Sequence, residues 1–229
     1  MVKLLKNTVK KNWLKFLSFC VNIILVIKMK EYPFEIINGK ENIILSAPHN
    51  VKHIREKSVR PRETKTGTIV KVLSKKYNTY GIYKNSHNCN NDANWDKNCE
   101  YKEYIKKLVK KEKIKMLIDF HGMAAHREQD ICIGINAGKN IYGNYDIVNC
   151  MIEIFHKYGF KNVTIDEPFS AEYEYCVSNY IAKECNIPTF QIEINLKYRL
   201  AIYKEYEKYK DLLKSIEEIL KIIIDRMNK

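Results

Sequence analysis

Two histidines and a carboxylate stand where this chain has its most strand-like runs. His49 ends Ser46-Ala47-Pro48-His49, behind the apolar run 42–45. His121 lies in Asp119-Phe120-His121-Gly122, behind 114–118. Glu193 is inside Gln191-Ile192-Glu193-Ile194-Asn195, within the run 188–194. Short apolar runs of this kind predict buried strands, and ligands on open α/β sheets bind beyond the carboxyl ends of the strands. Imidazole and carboxylate together form the ligand set of catalytic zinc, so the leading expectation is a metallohydrolase.

A catalytic zinc keeps three protein ligands and one open position. His49 and His121 are two candidates. Glu63 is the preferred third, because it lies in the loop after His49 and directly before a helix predicted to begin near Thr64. His53 competes with it, but a four-residue spacing brings two rings together only on a helix, and Pro48 argues for loop there. Asp119 is two residues before His121; side chains two apart on a strand share a face, so it could orient that ring. Glu193 sits in a run expected to be buried, where an unpaired carboxylate is costly. It needs a metal, a raised pKa or a cation such as Arg199. Arg127, Arg55, Asn94 and Tyr173 are candidates for handling substrate, the arginines because a guanidinium grips a carboxylate or stabilises a polarised carbonyl.

The elements that must position these residues alternate between strand and helix. Strands are expected at 34–37 and 43–45, joined as a hairpin by Asn38-Gly39, then at 79–83, 115–120, 130–136, 162–165 and 189–194. Residues 51–63 and 86–96 read as loops. Helical spacing covers 64–77, 100–113, 145–158, 176–185 and 197–227. Strands separated by helices of this length imply a three-layer α/β/α fold around a mostly parallel mixed sheet.

The 229 residues are 45% hydrophobic and 29% charged, which suits one catalytic domain over 31–229. Residues 1–30 form a basic and apolar extension with seven lysines and no acid. Three readings of it stay open: a membrane-associated leader, a helix packed on the domain, or an upstream extension with Met29 as an alternative start. Removing those lysines from the formal net charge of +13 leaves +6, spread among glutamates as on solvated helix faces. No nucleic-acid partner is therefore expected, although a basic protein binding nucleic acid or an anionic surface is the alternative to an enzyme. Seven cysteines without a C-x-x-C pair support neither a disulfide framework nor a zinc ribbon, and fit a cytoplasmic setting.

In order along the chain, Ser46-Ala47-Pro48-His49, Asp92-Ala93-Asn94, Asp119-Phe120-His121-Gly122-Met123, Asp130-Ile131 with Ile133-Gly134, Pro168-Phe169 and Gln191-Ile192-Glu193-Ile194-Asn195 resemble the N-formylglutamate amidohydrolase family. More loosely they resemble zinc carboxypeptidases and aminoacylases of the same phosphorylase/hydrolase-like fold. The resemblance implies Zn2+ on His49, Glu63 and His121, Glu193 as general base, and Arg127 and Asn94 as substrate contacts. The implied reaction is hydrolysis of an amide in an N-acyl amino acid or small peptide.

Overall fold

The computed structural model describes residues 32–86, 91–200 and 206–228. The expectations for residues 1–30, and for Cys20 and Cys89, lie outside them. The described strands are β1 (Phe34–Ile37), β2 (Glu41–Ala47), β3 (His53–Arg55), β4 (Ser58–Arg60), β5 (Thr79–Lys84), β6 (Met116–Met123), β7 (Ile131–Gly134), β8 (Val163–Ile165) and β9 (Thr189–Asn195). The helices are α1 (Thr66–Tyr77), α2 (Glu100–Glu112), α3 (Tyr145–Lys157), α4 (Val177–Cys185), α5 (Leu196–Arg199) and α6 (Tyr206–Met227).

Seven strands form one mixed sheet in the order β1-β5-β2-β6-β9-β7-β8. The central four, β5, β2, β6 and β9, run parallel, while β1 and β7 join them antiparallel. Helices cover both sides, α1, α3 and α6 on one and α2 and α4 on the other, giving the three-layer α/β architecture expected.

The sheet's two faces have different jobs. Side chains alternate along a strand. Ile43 and Leu45 of β2, Met116, Ile118 and Phe120 of β6, and Phe190, Ile192 and Ile194 of β9 enter the main core. Leu212, Ile216, Ile219, Leu220 and Ile223 of α6 close it from above. The intervening residues face the other way, toward α2 and α4: Ser46 meets Tyr101 of α2, and Thr189 bonds to the Ser178 carbonyl of α4. Register then lines up Ser46, Asp119 and Gln191 across the second face, with His121 beside Glu193 one step further on.

Three local expectations are corrected. Asn38-Gly39 does not close a hairpin, because β5 lies between β1 and β2. The Lys40 and Glu41 N–H groups both donate to the Asn78 carbonyl (2.7 and 3.1 Å), so the chain hooks around the start of β5. Gly39 serves close approach there: a Cβ would lie 2.3 Å from the Thr79 carbonyl carbon and 2.5 Å from Asn78 O. Residues 51–63 are not all loop; β3 and β4 form a hairpin whose turn residues Glu56 and Lys57 both have positive φ (49° and 65°). Such a turn usually announces itself with Asn-Gly, which this one lacks. The closing helix is two helices, with Leu200 extended (φ −79°, ψ 104°) after α5. Among the described residues, no helix is long and apolar enough to cross a membrane, and the described cysteines are free.

Replacing Gly39 with alanine forces a methyl into backbone atoms that cannot swing aside. Gly39→Ala should cost about 1–3 kcal/mol, the usual range for overpacking, as a lowered urea midpoint with an unchanged slope. An unaltered midpoint would show that the crossing over β5 is looser than these contacts imply.

Candidate metal centre

His49 follows β2, Glu63 follows β4, and His121 is on β6. They come from distant parts of the chain, yet their ligand atoms lie within 4.8 Å of one another. His49 Nδ1 is 2.9 Å from Glu63 Oε1, and His121 Nδ1 is 3.2 Å from Glu63 Oε2. The Gly122 N–H also donates to Oε2 (2.9 Å), and the Glu63 N–H donates to the His49 carbonyl (2.8 Å). Both histidines are almost fully buried.

The far nitrogen of each ring meets a carboxylate. His49 Nε2 is 2.7 Å from Asp92 Oδ1, and His121 Nε2 is 2.9 Å from Asp119 Oδ2. Each carboxylate fixes Nε2 as the protonated nitrogen and leaves Nδ1 with its lone pair aimed at Glu63. Acceptors pointed at acceptors at these distances are held together only by a proton or a cation. Bonds of about 2.0–2.1 Å in a tetrahedron put ligand atoms roughly 3.3 Å apart, close to the spacing here. The donor set therefore fits zinc.

The titration behaviour has the same origin. Burial pulls His49 down, but Glu63 and Asp92 outweigh it and raise its pKa. Burial likewise opposes protonation of His121, and Asp119 and Glu63 carry it well above the usual value. Burial pushes Glu63 up, and the two imidazoles hold it well below the carboxylate range. The pocket attracts positive charge, and protons answer that demand when no metal does.

Asp92 is the hub on the His49 side. Besides His49 it accepts from Arg55 Nε (2.6 Å) and the Asn94 N–H (2.9 Å). Its loop is clamped by two buried lysines: Lys84 Nζ donates to the Asn91 carbonyl (2.9 Å) and Lys102 Nζ to the Asp96 carbonyl (2.7 Å). His53, the competing third ligand, stacks flat on His49 with centroids 3.9 Å apart. Burial and the neighbouring His49 lower its pKa to about 4, so it is neutral near pH 7. His49, His53 and Asp92 form a second set within 4.8 Å, but Arg55 and the Asn94 N–H already occupy the Asp92 oxygens.

Glu193 faces the same space as His121. Burial pushes its pKa up to about 7, with His121 opposing and Glu63 adding to the rise. Gln191 Nε2 donates to Glu193 Oε1 (3.1 Å), while Gln191 Oε1 has no partner among the described residues. Arg199 does not hydrogen-bond Glu193. Its guanidinium donates to the carbonyls of Ile194, Thr64 and Met123 (2.9, 2.6 and 3.2 Å). One buried cation thus ties the backbone beside Glu193, Glu63 and His121 together, in the space a Cβ on Gly122 would occupy.

These residues border a cleft of about 320 Å³ whose wall also includes Arg55, Asn94, Trp95, Phe169 and Tyr173. Asn94 is anchored at its oxygen, Oδ1 accepting from the Val177 N–H (2.9 Å). Its Nδ2 lies 3.2 Å from His121 Nε2, but both are donors once Nε2 carries the proton shared with Asp119, so that amide group stays available. Tyr173 stacks on Trp95 at 4.7 Å, and Arg55 lies over the same indole at 5.3 Å. Arg127 is not brought into this wall. It is exposed, with its guanidinium 5.3 Å from the Phe169 ring centre, because the Arg127 carbonyl is anchored to Asn195 (3.0 Å). Asp92 and Gln191 do not stand out as separate site residues in the sequence. Asp92 meets His49 from 43 positions away, a contact that no local spacing announces, while Gln191 shares the Glu193 face of β9 by the two-residue alternation of a strand.

No protein-family model and no curated protein matches this chain. Solved structures do. An N-formylglutamate amidohydrolase from Ralstonia eutropha is similar with a TM-score of 0.61 at 11% identity, over 85% of this chain and 98% of that one. A gene product from Agrobacterium tumefaciens gives 0.63 at 12%, over 85% and 94%. A metallo-carboxypeptidase from Burkholderia cenocepacia gives 0.51 at 9%, over 85% and 66%. The amidohydrolase and carboxypeptidase fold anticipated from the motifs is thus the fold of these neighbours.

If Asp92 and Asp119 orient the two rings, Asp92→Asn and Asp119→Asn should each weaken zinc binding by about 10–100-fold, measured against a competing chelator. Arg127→Ala should leave it unchanged. Equal affinity in all three variants would remove the orienting role.

Proposed function

We propose that this chain is a metal-dependent hydrolase of amide C–N bonds, with zinc as the metal and an N-acyl amino acid or small peptide as substrate. The convergence of His49, Glu63 and His121 on one point, with Glu193 facing it, carries this reading. The fold shared with an amidohydrolase and a metallo-carboxypeptidase supports it.

Zinc held by His49, Glu63 and His121 would supply Lewis acidity, lowering the pKa of water and polarising a carbonyl. The remaining work belongs to the chain. Gln191 occupies Glu193 Oε1, which leaves Oε2 to take a proton from the attacking water and return it to the leaving nitrogen. The unpartnered Gln191 Oε1 can accept a substrate N–H. Arg55, not Arg127, is the guanidinium that borders the cleft, and it is placed to balance negative charge developing on the substrate. Trp95 and the Tyr173 ring stacked on it wall one side of the cleft. The products are an amine and a carboxylic acid.

Glu193→Gln should keep zinc and lose at least about 100-fold in kcat, the usual scale for a general base, while His121→Ala should lose the metal. Full turnover by the glutamine variant on N-acyl amino acids would overturn the assignment. Glu193 must be ionised to accept a proton, so kcat/KM should fall on the acid side. Burial sets its pKa to about 7, and a nearby cation favours the ionised form, so the midpoint should lie at or below 7. A rate that rises as the solution is acidified through this range would contradict the role.

A further inference from the structure

A second cavity, of about 420 Å³, opens on the other side of Glu63 and shares Arg55, Glu63 and Gly122 with the metal cleft. Four arginines line it, Arg55, Arg60, Arg62 and Arg199, with Glu63 as the one carboxylate residue in the lining. Arg55 is already paired with Asp92 (2.6 Å), which leaves three cationic side chains there without a carboxylate of their own among the described residues. The Glu63 carboxylate is already directed at His49 and His121. Arg199 forms the floor, and its three hydrogen bonds go to neutral carbonyls. Neither Arg60 nor Arg62 pairs with a carboxylate among the described residues.

The backbone that carries Arg60 and Arg62 is held in place rather than left as a loose loop. Arg60 is paired with His53 across the β3–β4 hairpin. Three residues later the Glu63 N–H is fixed to the His49 carbonyl, and Pro61 stiffens the span between. Gathering like charges costs energy unless an anion joins them, and guanidinium forks match the planar oxygens of carboxylate and phosphate. We infer that this cavity is an oxyanion subsite, contiguous with the metal cleft, that binds a carboxylate or phosphate group borne by the substrate beyond Glu63. Arg60 and Arg62 supply the free donors, and Arg199 supplies positive potential from beneath.

The inference rests on the hydrolase reading only in calling the anion part of a substrate, so the test reads binding instead of turnover. Calorimetry on the full-length zinc-treated protein would compare glutarate, inorganic phosphate and acetate, in the parent and in the Arg60→Gln/Arg62→Gln double variant. Both side chains are exposed, Arg60 at the end of β4 and Arg62 just after it, and an unchanged melting temperature would confirm that the fold survives. Loss of a charge-assisted hydrogen bond should weaken binding by about tenfold or more. The expected result is that glutarate or phosphate binds the parent at least that much more tightly than the double variant, with acetate equal in both. The tighter of the two anions identifies the group. Equal binding of glutarate and of phosphate to parent and variant would overturn the subsite. Zinc stoichiometry measured in the same samples separates the two readings: absence of zinc counts against the hydrolase, and arginine-independent anion binding counts against the subsite alone.

Discussion

One carboxylate shared between two imidazoles holds the site together. Glu63 offers one oxygen to His49 and the other to His121 and the Gly122 N–H. It joins the end of β2 to the end of β6, and the segment after β4 to both. Taking a carboxylate out of water costs several kcal/mol unless partners compensate. Here compensation comes from groups that themselves need an opposite charge. Asp92 and Asp119 continue the alternation outward, and Arg55 closes it on one side. Neutralising any one member leaves its neighbours with charge they cannot discharge to solvent.

This arrangement is possible because the sheet separates its tasks by face. Period-two alternation sends Ile118, Phe120, Phe190 and Ile192 into the core under α6, and sends Asp119, His121, Gln191 and Glu193 to the opposite side. The apolar face supplies most of the burial that stabilises the fold. The polar face can then carry costly groups without disturbing it. Glu193 shows the consequence: its raised pKa follows from where β9 runs, inside the mixed sheet between β6 and β7, as much as from any single neighbour.

Much of this was legible in the sequence. The apolar runs marked the central strands, and polar residues at alternate positions within them marked the functional face. His49, Glu63, His121 and Asp119 are where the residue types suggested. What could not be read depended on contacts between distant segments. Asn38-Gly39 carries a true turn signal, but only the insertion of β5 decides that the flanking strands do not pair. The Glu56-Lys57 turn adopts positive φ without the usual residues, so β3 and β4 stayed hidden. Arg127 follows His121 closely enough to suggest the cleft, yet the Asn195 side-chain amide, donating to the Arg127 carbonyl, holds its segment aside. Arg199 is recognisable only when the carbonyls it gathers are seen together, since they come from three separate stretches.

Gly122 and Arg199 share one volume. A methyl at 122 would coincide with the guanidinium, 2.3 Å from its Cζ, so the two positions are not free to vary independently. In any lineage carrying this pair, a larger residue at 122 becomes tolerable only after 199 has shortened, while shortening 199 first leaves three carbonyls without their donor. The intermediates on either route are handicapped, which makes the pair a historical lock: easy to inherit, hard to leave by single steps.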